Sequence, residues 1–275
     1  MQQYIDIHSH VNDPRFDTDI DDVLSRMREA SVASIVVGTD KQMSERAIAI
    51  ADKHDDLWAT IGQHPTDKHN EEFDETWYAK HALNPKVVAI GECGIDYYRT
   101  EDDRKKGVIA NMDAEADRQQ ILFERQVALA ASVDKPLMIH GRPEKGSMDA
   151  YEDILHILTN AQKKHGGKVR GDVHFFVGNT DIAKQFLDIG FTMSFTGVLT
   201  FTHDYDEVLR YIPLSSIMSE TDAPYVAPVP HRGTRNEPAF ITETVAAIAR
   251  IRTMDVEALR PILIENAKRV FGINI

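Results

Sequence analysis

The segment YIDIHSH, residues 4–10, combines a strand-like alternation with two histidines that are separated by one small residue. Side chains at positions i and i+2 of a β-strand point to the same face, so His8 and His10 can converge on one point. Neutral imidazole is a common metal ligand, and two imidazoles on one face supply half of a site. An isolated pair of this kind is more often a polar strand end that carries two solvated histidines. The rest of the chain has to decide between these interpretations.

Short apolar segments recur along the chain and alternate with amphipathic ones. The apolar segments are residues 4–8, 34–38, 58–62, 87–91, 136–140, 169–176, 191–195 and 216–220. Intervening segments such as 116–133 and 241–251 carry apolar residues at spacings of three and four, which predict helices. Strands that alternate with helices are typical of parallel β/α units, and about 250 residues is the usual size of a barrel with eight such units. We therefore predict an α/β fold, a (β/α)8 TIM barrel, that residues 1–275 form as a single domain.

A doubly wound open sheet is the alternative architecture for this alternation. That fold commonly binds nucleotides through a G-x-G-x-x-G or Walker-type turn directly after an early strand. No such turn follows an early strand in this sequence, and the barrel is therefore the favoured interpretation.

The composition narrows the class of protein. The chain has 275 residues, of which 42% are hydrophobic, so a full core is expected. We expect no membrane association, because no apolar segment approaches the roughly 20 residues of a membrane span and the amino terminus does not resemble a signal peptide. The single cysteine, Cys93, excludes an internal disulfide and predicts a cytoplasmic protein. A net charge of −13 argues against broad adhesion to nucleic acid, so an anionic substrate needs a local positive feature. The sequence indicates no stable protein partner.

The barrel prediction places catalytic groups at the carboxyl ends of the strands. Metal-capable side chains end six of the predicted strands; they are His8, His10, His64, Glu92, His140, His174, Glu220 and Asp222. Any one of them alone would commonly be a structural or surface residue. Their shared position is not explained in that way, and we therefore predict a metal site at the barrel mouth.

Several motifs resemble those of the TatD-type metal-dependent deoxyribonucleases, which are amidohydrolase-like metal hydrolases built on a (β/α)8 barrel. The motifs are IDIHSH (5–10), IGQHP (61–65), AIGECGIDYYR (89–99), IHGR (139–142), SETDAPYVAPVPHRGTRNEP (219–238) and ENAKRVF (265–271). The resemblance implies a hydrolase that uses two divalent metal ions and acts on DNA phosphodiesters. It implies as metal ligands His8, His10, Glu92, His140, His174 and Asp222, with Glu92 bridging the ions. Such mixed ligands accept Zn, Mn or Mg.

Further residues are candidates for catalysis and substrate binding. Asp222 could ligate an ion and also accept the proton of the attacking water. Glu220 has the same strand parity, so it could orient a ligand or relay a proton, or it could be a satisfied carboxylate inside the barrel. His64 could contact the scissile phosphate or only shape its turn. Arg142 is a candidate phosphate ligand because arginine can hold phosphate with two hydrogen bonds.

The rim of the predicted mouth carries further candidate residues. Tyr97 and Tyr98 could stack on nucleic-acid bases, although packing at the barrel rim is the ordinary role of such residues. Arg232 and Arg235 could bind phosphate, or they could pair with acidic neighbours such as Glu237. Residues 100–118 read as a long charged loop inserted after the fourth strand, and loops on this face tune substrate choice.

Three functions are compatible with the sequence. The leading one is a metal-dependent deoxyribonuclease that acts on single-stranded DNA ends as an exonuclease. The second is hydrolysis of another ester or amide bond, such as the D-aminoacyl-tRNA deacylation reported for relatives of this family. The third is a non-catalytic barrel that binds a ligand, against which the complete ligand set argues. Nothing in the sequence separates the first two.

Overall fold

Within residues 2–67 and 71–275, which the computed structural model describes, eight parallel strands pair in chain order. Backbone hydrogen bonds join the end of the first strand to the segment after the eighth. The Asp222 N–H donates to the His8 carbonyl over 2.9 Å, and the His10 N–H donates to the Ala223 carbonyl over 2.7 Å. The strands are β1 (Tyr4–Ser9), β2 (Val32–Val37), β3 (Leu57–Ile61), β4 (Val87–Asp96), β5 (Leu137–Arg142), β6 (Gly171–His174), β7 (Thr192–Phe195) and β8 (Ile217–Ser219). The predicted (β/α)8 barrel is confirmed.

Helices follow the strands and cover the outside of the barrel. They are α1 (Ile20–Glu29), α2 (Lys41–Ala51), α3 (Glu75–His81), α4 (Tyr97–Lys105), α5 (Met112–Ser132), α6 (Asp149–His165), α7 (Thr180–Asp188), α8 (Asp206–Tyr211), α9 (Ile241–Arg252) and α10 (Val256–Phe271). Their apolar faces bury large side chains such as Phe123, Tyr151 and Phe186 against the strands. None of these helices is long and apolar enough to cross a membrane.

A second apolar cluster fills the barrel interior at its amino-terminal end. Ile5, Ala33 and Met218 point inward from their strands, and Phe271 of α10 packs against the same cluster. Because this end of the barrel is filled with apolar side chains, the inward-facing polar side chains collect at the opposite, carboxyl end of the strands. The fold therefore directs the predicted metal ligands to one face.

The expectation of a loop over residues 100–118 is wrong for most of that segment. Helix α4 begins directly after β4, with the Asp96 side chain accepting a hydrogen bond from the Arg99 N–H over 2.7 Å. Ion pairs one turn apart support the helix, including Arg104 with Glu101 at 2.9 Å. Residues 106–111 alone connect α4 to α5. The sequence did not predict α4 because this short, mostly exposed helix lacks the apolar periodicity on which helix prediction relies.

Gly94 allows β4 and β5 to approach each other beside the site. Its φ of 143° is rarely adopted by other residues, and a Cβ at this position would lie 1.9 Å from the His140 carbonyl oxygen. A glycine between Glu92 and Asp96 is therefore a steric requirement of this part of the barrel.

Candidate metal centre

The six predicted ligands converge at the carboxyl ends of β1, β4, β5 and β6 and just beyond β8. Five of them are buried, and His140 is partly exposed. The strand pairing is irregular at two ligand positions, between Asp6 and Ser9 in β1 and between Ile90 and Cys93 in β4. Such bulges re-aim side chains and are common beside active sites. The local irregularities thus contribute to the convergence of His8 and Glu92.

A first cluster brings together His8, His10, Glu92 and Asp222. The Nε2 atoms of His8 and His10 lie 3.1 Å apart. They lie 3.4 and 3.6 Å from the Glu92 Oε2 atom, respectively. The Asp222 Oδ1 atom lies 3.4 Å from His10 Nε2 and 3.9 Å from His8 Nε2. Four potential ligand atoms therefore surround one point.

A second cluster uses the other oxygen of Glu92. The Glu92 Oε1 atom lies 2.8 Å from His140 Nδ1 and 2.8 Å from His174 Nε2. Those two nitrogens are 3.3 Å apart. The carboxylate of Glu92 thus divides its oxygens between two groups of histidines, as a bridging ligand would.

The donor set suits divalent cations. Metal–nitrogen and metal–oxygen bonds of about 2.0–2.2 Å place two ligands of one ion roughly 3–3.5 Å apart. The ligand atoms of both clusters approach this spacing, and the first contains two imidazole nitrogens that face each other. Two lone pairs at 3.1 Å repel each other unless a proton or a cation lies between them. The clusters can therefore hold metal ions.

Two hydrogen bonds orient the ligand histidines from behind. His10 Nδ1 lies 3.2 Å from the Val37 carbonyl oxygen, to which it can donate, leaving the Nε2 lone pair to face the cluster. His140 Nε2 lies 3.1 Å from Asp96 Oδ2, an arrangement that directs its Nδ1 toward Glu92. Carboxylate and carbonyl partners of this kind fix the tautomer of metal-binding histidines. Our sequence analysis missed Asp96, although its spacing of four residues from Glu92 places both on one face of β4.

Charge interactions keep the carboxylates ionised despite burial. Burial by itself would raise the pKa of Glu92, but His174 and the other histidines around it lower that pKa well below its usual range. Burial would also raise the pKa of Asp222, and the contact with His10 reverses that shift. Conversely, burial opposes protonation of His140, yet Asp96 and Glu92 raise its pKa to about 9. A cation bound at His140 Nδ1 would therefore displace a proton from that histidine.

Glu220 lies behind His174, deeper in the barrel. Its Oε1 atom accepts a hydrogen bond from the Phe175 N–H over 2.5 Å and lies 3.6 Å from His174 Nδ1. Its Oε2 atom lies 2.9 Å from the Ser194 hydroxyl, which also contacts Asp172 over 2.6 Å. Glu220 therefore joins the predicted ligand His174 to a buried network of hydroxyl and carboxyl groups. Sequence reasoning did not single out Asp172, although it shares the strand face of His174.

His64 lies beside the second cluster. Its Nε2 atom is 3.7 Å from Glu92 Oε1, and its ring packs edge-on against His140 with 4.5 Å between centroids. On the opposite side, His64 Nδ1 is 3.2 Å from Asp67, which also pairs with Arg99 of α4 at 3.1 Å. Sequence reasoning missed Asp67. The one feature that could have indicated it is its place three positions after His64.

The arginines named above separate into two groups. Arg142 is exposed at the end of β5, with its guanidinium carbon 4.1 Å from the centre of the Tyr98 ring. Arg235 pairs with Asp19 at 2.6 Å and with Glu237 at 3.2 Å, so it braces the segment after β8. Arg232 donates to a backbone carbonyl and packs on Phe201.

Comparisons with known proteins extend over nearly the whole chain. A family model described as TatD related DNase matches residues 5–272. The Bacillus subtilis (strain 168) protein named uncharacterized metal-dependent hydrolase YabD is 36% identical over 274 residues, covering 98% of this chain and 99% of the relative. The Enterobacter lignolyticus (strain SCF1) protein named 3'-5' ssDNA/RNA exonuclease TatD is 32% identical over 277 residues, covering 98% of each chain.

A solved structure shows the same likeness in three dimensions. The crystal structure of YjjV, a TatD homologue from Escherichia coli K12, superposes with a TM-score of 0.85 at 25% identity and covers 99% of both chains. The similarity therefore includes the arrangement of strands and helices that positions the clusters.

Proposed function

This chain belongs to the TatD-related DNase family of metal-dependent hydrolases, and from that premise we propose that it hydrolyses phosphodiester bonds at the ends of single-stranded DNA. The proposal includes two divalent ions, of Mg, Mn or Zn, held by His8, His10, Glu92, His140, His174 and Asp222. The relative named as a 3'-5' ssDNA/RNA exonuclease supports a nucleic-acid substrate.

The division of the Glu92 oxygens carries the proposal. One oxygen faces the His140 and His174 nitrogens at 2.8 Å, and the other faces the His8 and His10 nitrogens at 3.4 and 3.6 Å. When bound, a pair of divalent ions supplies Lewis-acid activation of a phosphodiester and of the attacking water. A single-ion site would not need a carboxylate placed between two groups of histidines.

The side chains around the clusters have distinct proposed roles. Asp222 accepts the proton of the attacking water, because its carboxylate is charged at neutral pH and its Oδ1 atom faces the first cluster, 3.4 Å from His10 Nε2. Glu220 orients His174 from behind. His64 faces the same space as Glu92 Oε1, where it can contact the scissile phosphate or the leaving group.

A local positive charge is needed to bring an anionic strand to a protein of net charge −13. Arg142 forms no ion pair with any residue in the described part of the chain, and it is exposed at the mouth. Its guanidinium is therefore available to a phosphate of the substrate.

The test is a substrate screen with metal-reloaded protein. Protein stripped by a chelator and reloaded with Mg²⁺, Mn²⁺ or Zn²⁺ is assayed on single-stranded DNA, duplex DNA, RNA, D-aminoacyl-tRNA and small esters. We expect single-stranded DNA to give the highest kcat/KM, with mononucleotides as products. A higher kcat/KM on D-aminoacyl-tRNA or on an ester would contradict the proposal.

Two variants make the screen specific for the site. Glu92→Gln should lose metal and activity together, because the amide cannot supply two anionic oxygens. His156→Ala is the matched control, since His156 is an exposed histidine on α6, and it should behave as the wild type.

A further inference from the structure

Two exposed tyrosines at the barrel mouth each carry an arginine on the ring. The guanidinium carbon of Arg142 lies 4.1 Å from the centre of the Tyr98 ring, and that of Arg15 lies 4.4 Å from the centre of the Tyr225 ring. Tyr98 is 45% exposed and Tyr225 is 47% exposed. An arginine on one face of a ring restrains it and adds a positive charge, while the rest of the aromatic surface remains accessible.

The two stacks lie on opposite sides of the metal ligands. Tyr98 follows β4 and Arg142 ends β5, whereas Tyr225 follows β8 and Arg15 follows β1. In a closed barrel with its strands in chain order, the β4/β5 edge is diametrically opposite the β8/β1 edge. The Tyr225 ring also lies 6.2 Å from the ring of the predicted ligand His10.

The charges of the two stacks differ. Arg15 donates to the Asp13 carboxylate over 2.8 and 2.6 Å, so its charge is largely balanced and its main contact is the ring. Arg142 pairs with no carboxylate within the described residues, so it combines an aromatic surface with a free positive charge. The two sides of the mouth therefore differ in charge, and the side with Arg142 is the more positive.

We propose that the two stacks are base-binding subsites on either side of the scissile bond. The base of the terminal nucleotide packs on one tyrosine, the base of the next nucleotide packs on the other, and the phosphate between them lies over the metal ligands. This inference rests on the proposed nuclease function and adds the smallest unit that is recognised, a dinucleotide with its bases unstacked from each other. Duplex ends are disfavoured because their bases already stack and pair.

The experiment removes bases and rings in combination. Single-stranded hexanucleotides with an abasic terminal or penultimate position are compared with the intact strand, using kcat/KM for cleavage. For the wild type we expect each missing base to cost about tenfold, the usual scale of one base–aromatic stack. Tyr98→Leu should be insensitive to one abasic position and Tyr225→Leu to the other. Tyr98→Phe and Tyr225→Phe keep the ring and should retain the wild-type sensitivity.

Tyr211 provides a matched control. It is 46% exposed, but it ends α8 and precedes β8, so it lies toward the amino-terminal side of the barrel. Tyr211→Leu should keep the full sensitivity to both abasic positions. The inference is overturned if Tyr98→Leu and Tyr225→Leu also keep it.

A binding assay separates this inference from the proposed function. Fluorescence anisotropy with phosphorothioate versions of the same strands reports the affinity of metal-loaded protein without requiring cleavage. We call it the crossed pattern when each Leu variant loses sensitivity to a different abasic position. If binding shows the crossed pattern but the wild type cleaves none of the unmodified strands, the stacks are supported and the nuclease proposal fails. If the wild type cleaves but the crossed pattern is absent from both assays, the stacks are refuted and the nuclease proposal stands. Neither binding nor cleavage would refute both.

Discussion

The barrel interior contains two adjacent groups of buried polar side chains whose partners differ. In the inner acidic layer, formed by Asp172 and Glu220, the carboxylate oxygens contact hydroxyl or N–H groups at 2.5–2.9 Å. In the metal-ligand layer at the mouth, imidazole nitrogens and carboxylate oxygens face one another at 2.8–3.9 Å. Burial is similar in the two layers. In the inner acidic layer hydrogen-bond donors face the carboxylate oxygens, so the layer needs no cation. In the metal-ligand layer acceptor atoms face one another, and a cation can bind between them.

The hydrogen-bond geometry of the inner acidic layer requires a proton on one of its carboxyl groups. The Ser194 hydroxyl lies between Asp172 and Glu220 but has one hydrogen to donate. One of the two carboxyl groups must therefore carry a proton for all three groups to be satisfied. Burial raises the pKa of Asp172 to about 7, which makes Asp172 the natural holder of that proton.

The largest effect is expected in the metal-ligand layer. Changing His8 and His10 together to Ala removes two of the four ligand atoms of the first cluster, so about one metal ion per chain should be lost while the fold remains. Activity should fall by more than about 10⁴-fold, the upper end of a single general-base contribution. Metal analysis and circular dichroism give the two readouts. Full metal content in the folded double variant would contradict the assignment of this cluster.

The next largest effect compares one residue from each layer. Asp222→Asn keeps an oxygen for the metal but loses the basic carboxylate, so kcat at saturating metal should fall at least about hundredfold. Glu220→Gln alters only the support of His174 and should cost about tenfold. A loss of only a few-fold for Asp222→Asn would show that it is not the base, and His64 or Glu220 would then be the better candidate.

A stability measurement tests the inner acidic layer alone. Because the pKa of Asp172 is raised from 3.8 to about 7, the folded state holds a proton that the unfolded state releases in this range. The free energy of unfolding therefore falls, through this group, as the pH rises from about 4 to 7. Asp172→Asn should abolish that component, up to about 4 kcal/mol.

Denaturant unfolding of wild type and variant between pH 4 and 7 provides the comparison. The informative quantity is the difference between the two proteins, because Asp6, with a pKa raised by burial to about 8, titrates in both. A constant difference across this pH range would refute the assignment. Metal content of the Asn variant should remain that of the wild type.

The smallest effect is expected for a surface carboxylate outside both layers. Glu101 of α4 is partly exposed and pairs with Arg104 at 2.9 Å and with Lys105 at 3.4 Å. Exposed pairs contribute little because water and salt screen them. Glu101→Gln should leave the melting temperature and the metal content unchanged. A lowered melting temperature would show that α4 supports the site more strongly than its exposure suggests.

Much of the site was accessible from the sequence because strand ends obey simple rules. A period of two placed His8 and His10 on one face, and barrel topology placed Glu92, His140 and His174 at the same mouth. The partners behind them were not accessible in this way. Asp96 and Asp67 act through side-chain contacts across elements, and α4 lacks the apolar periodicity that reveals a helix.

The sequence by itself determined the order of the strands, the helices that carry apolar periodicity, the barrel, and the identity of the side chains that end the strands. These properties follow from local periodicity, which each segment carries independently of the others. Only the tertiary structure decided that Glu92 divides its oxygens between two histidine groups, that Glu220 belongs to the inner acidic layer, and that the two tyrosine–arginine stacks form at the mouth. Those relations depend on distances between strands that are far apart in sequence, and bulges and close packing set such distances.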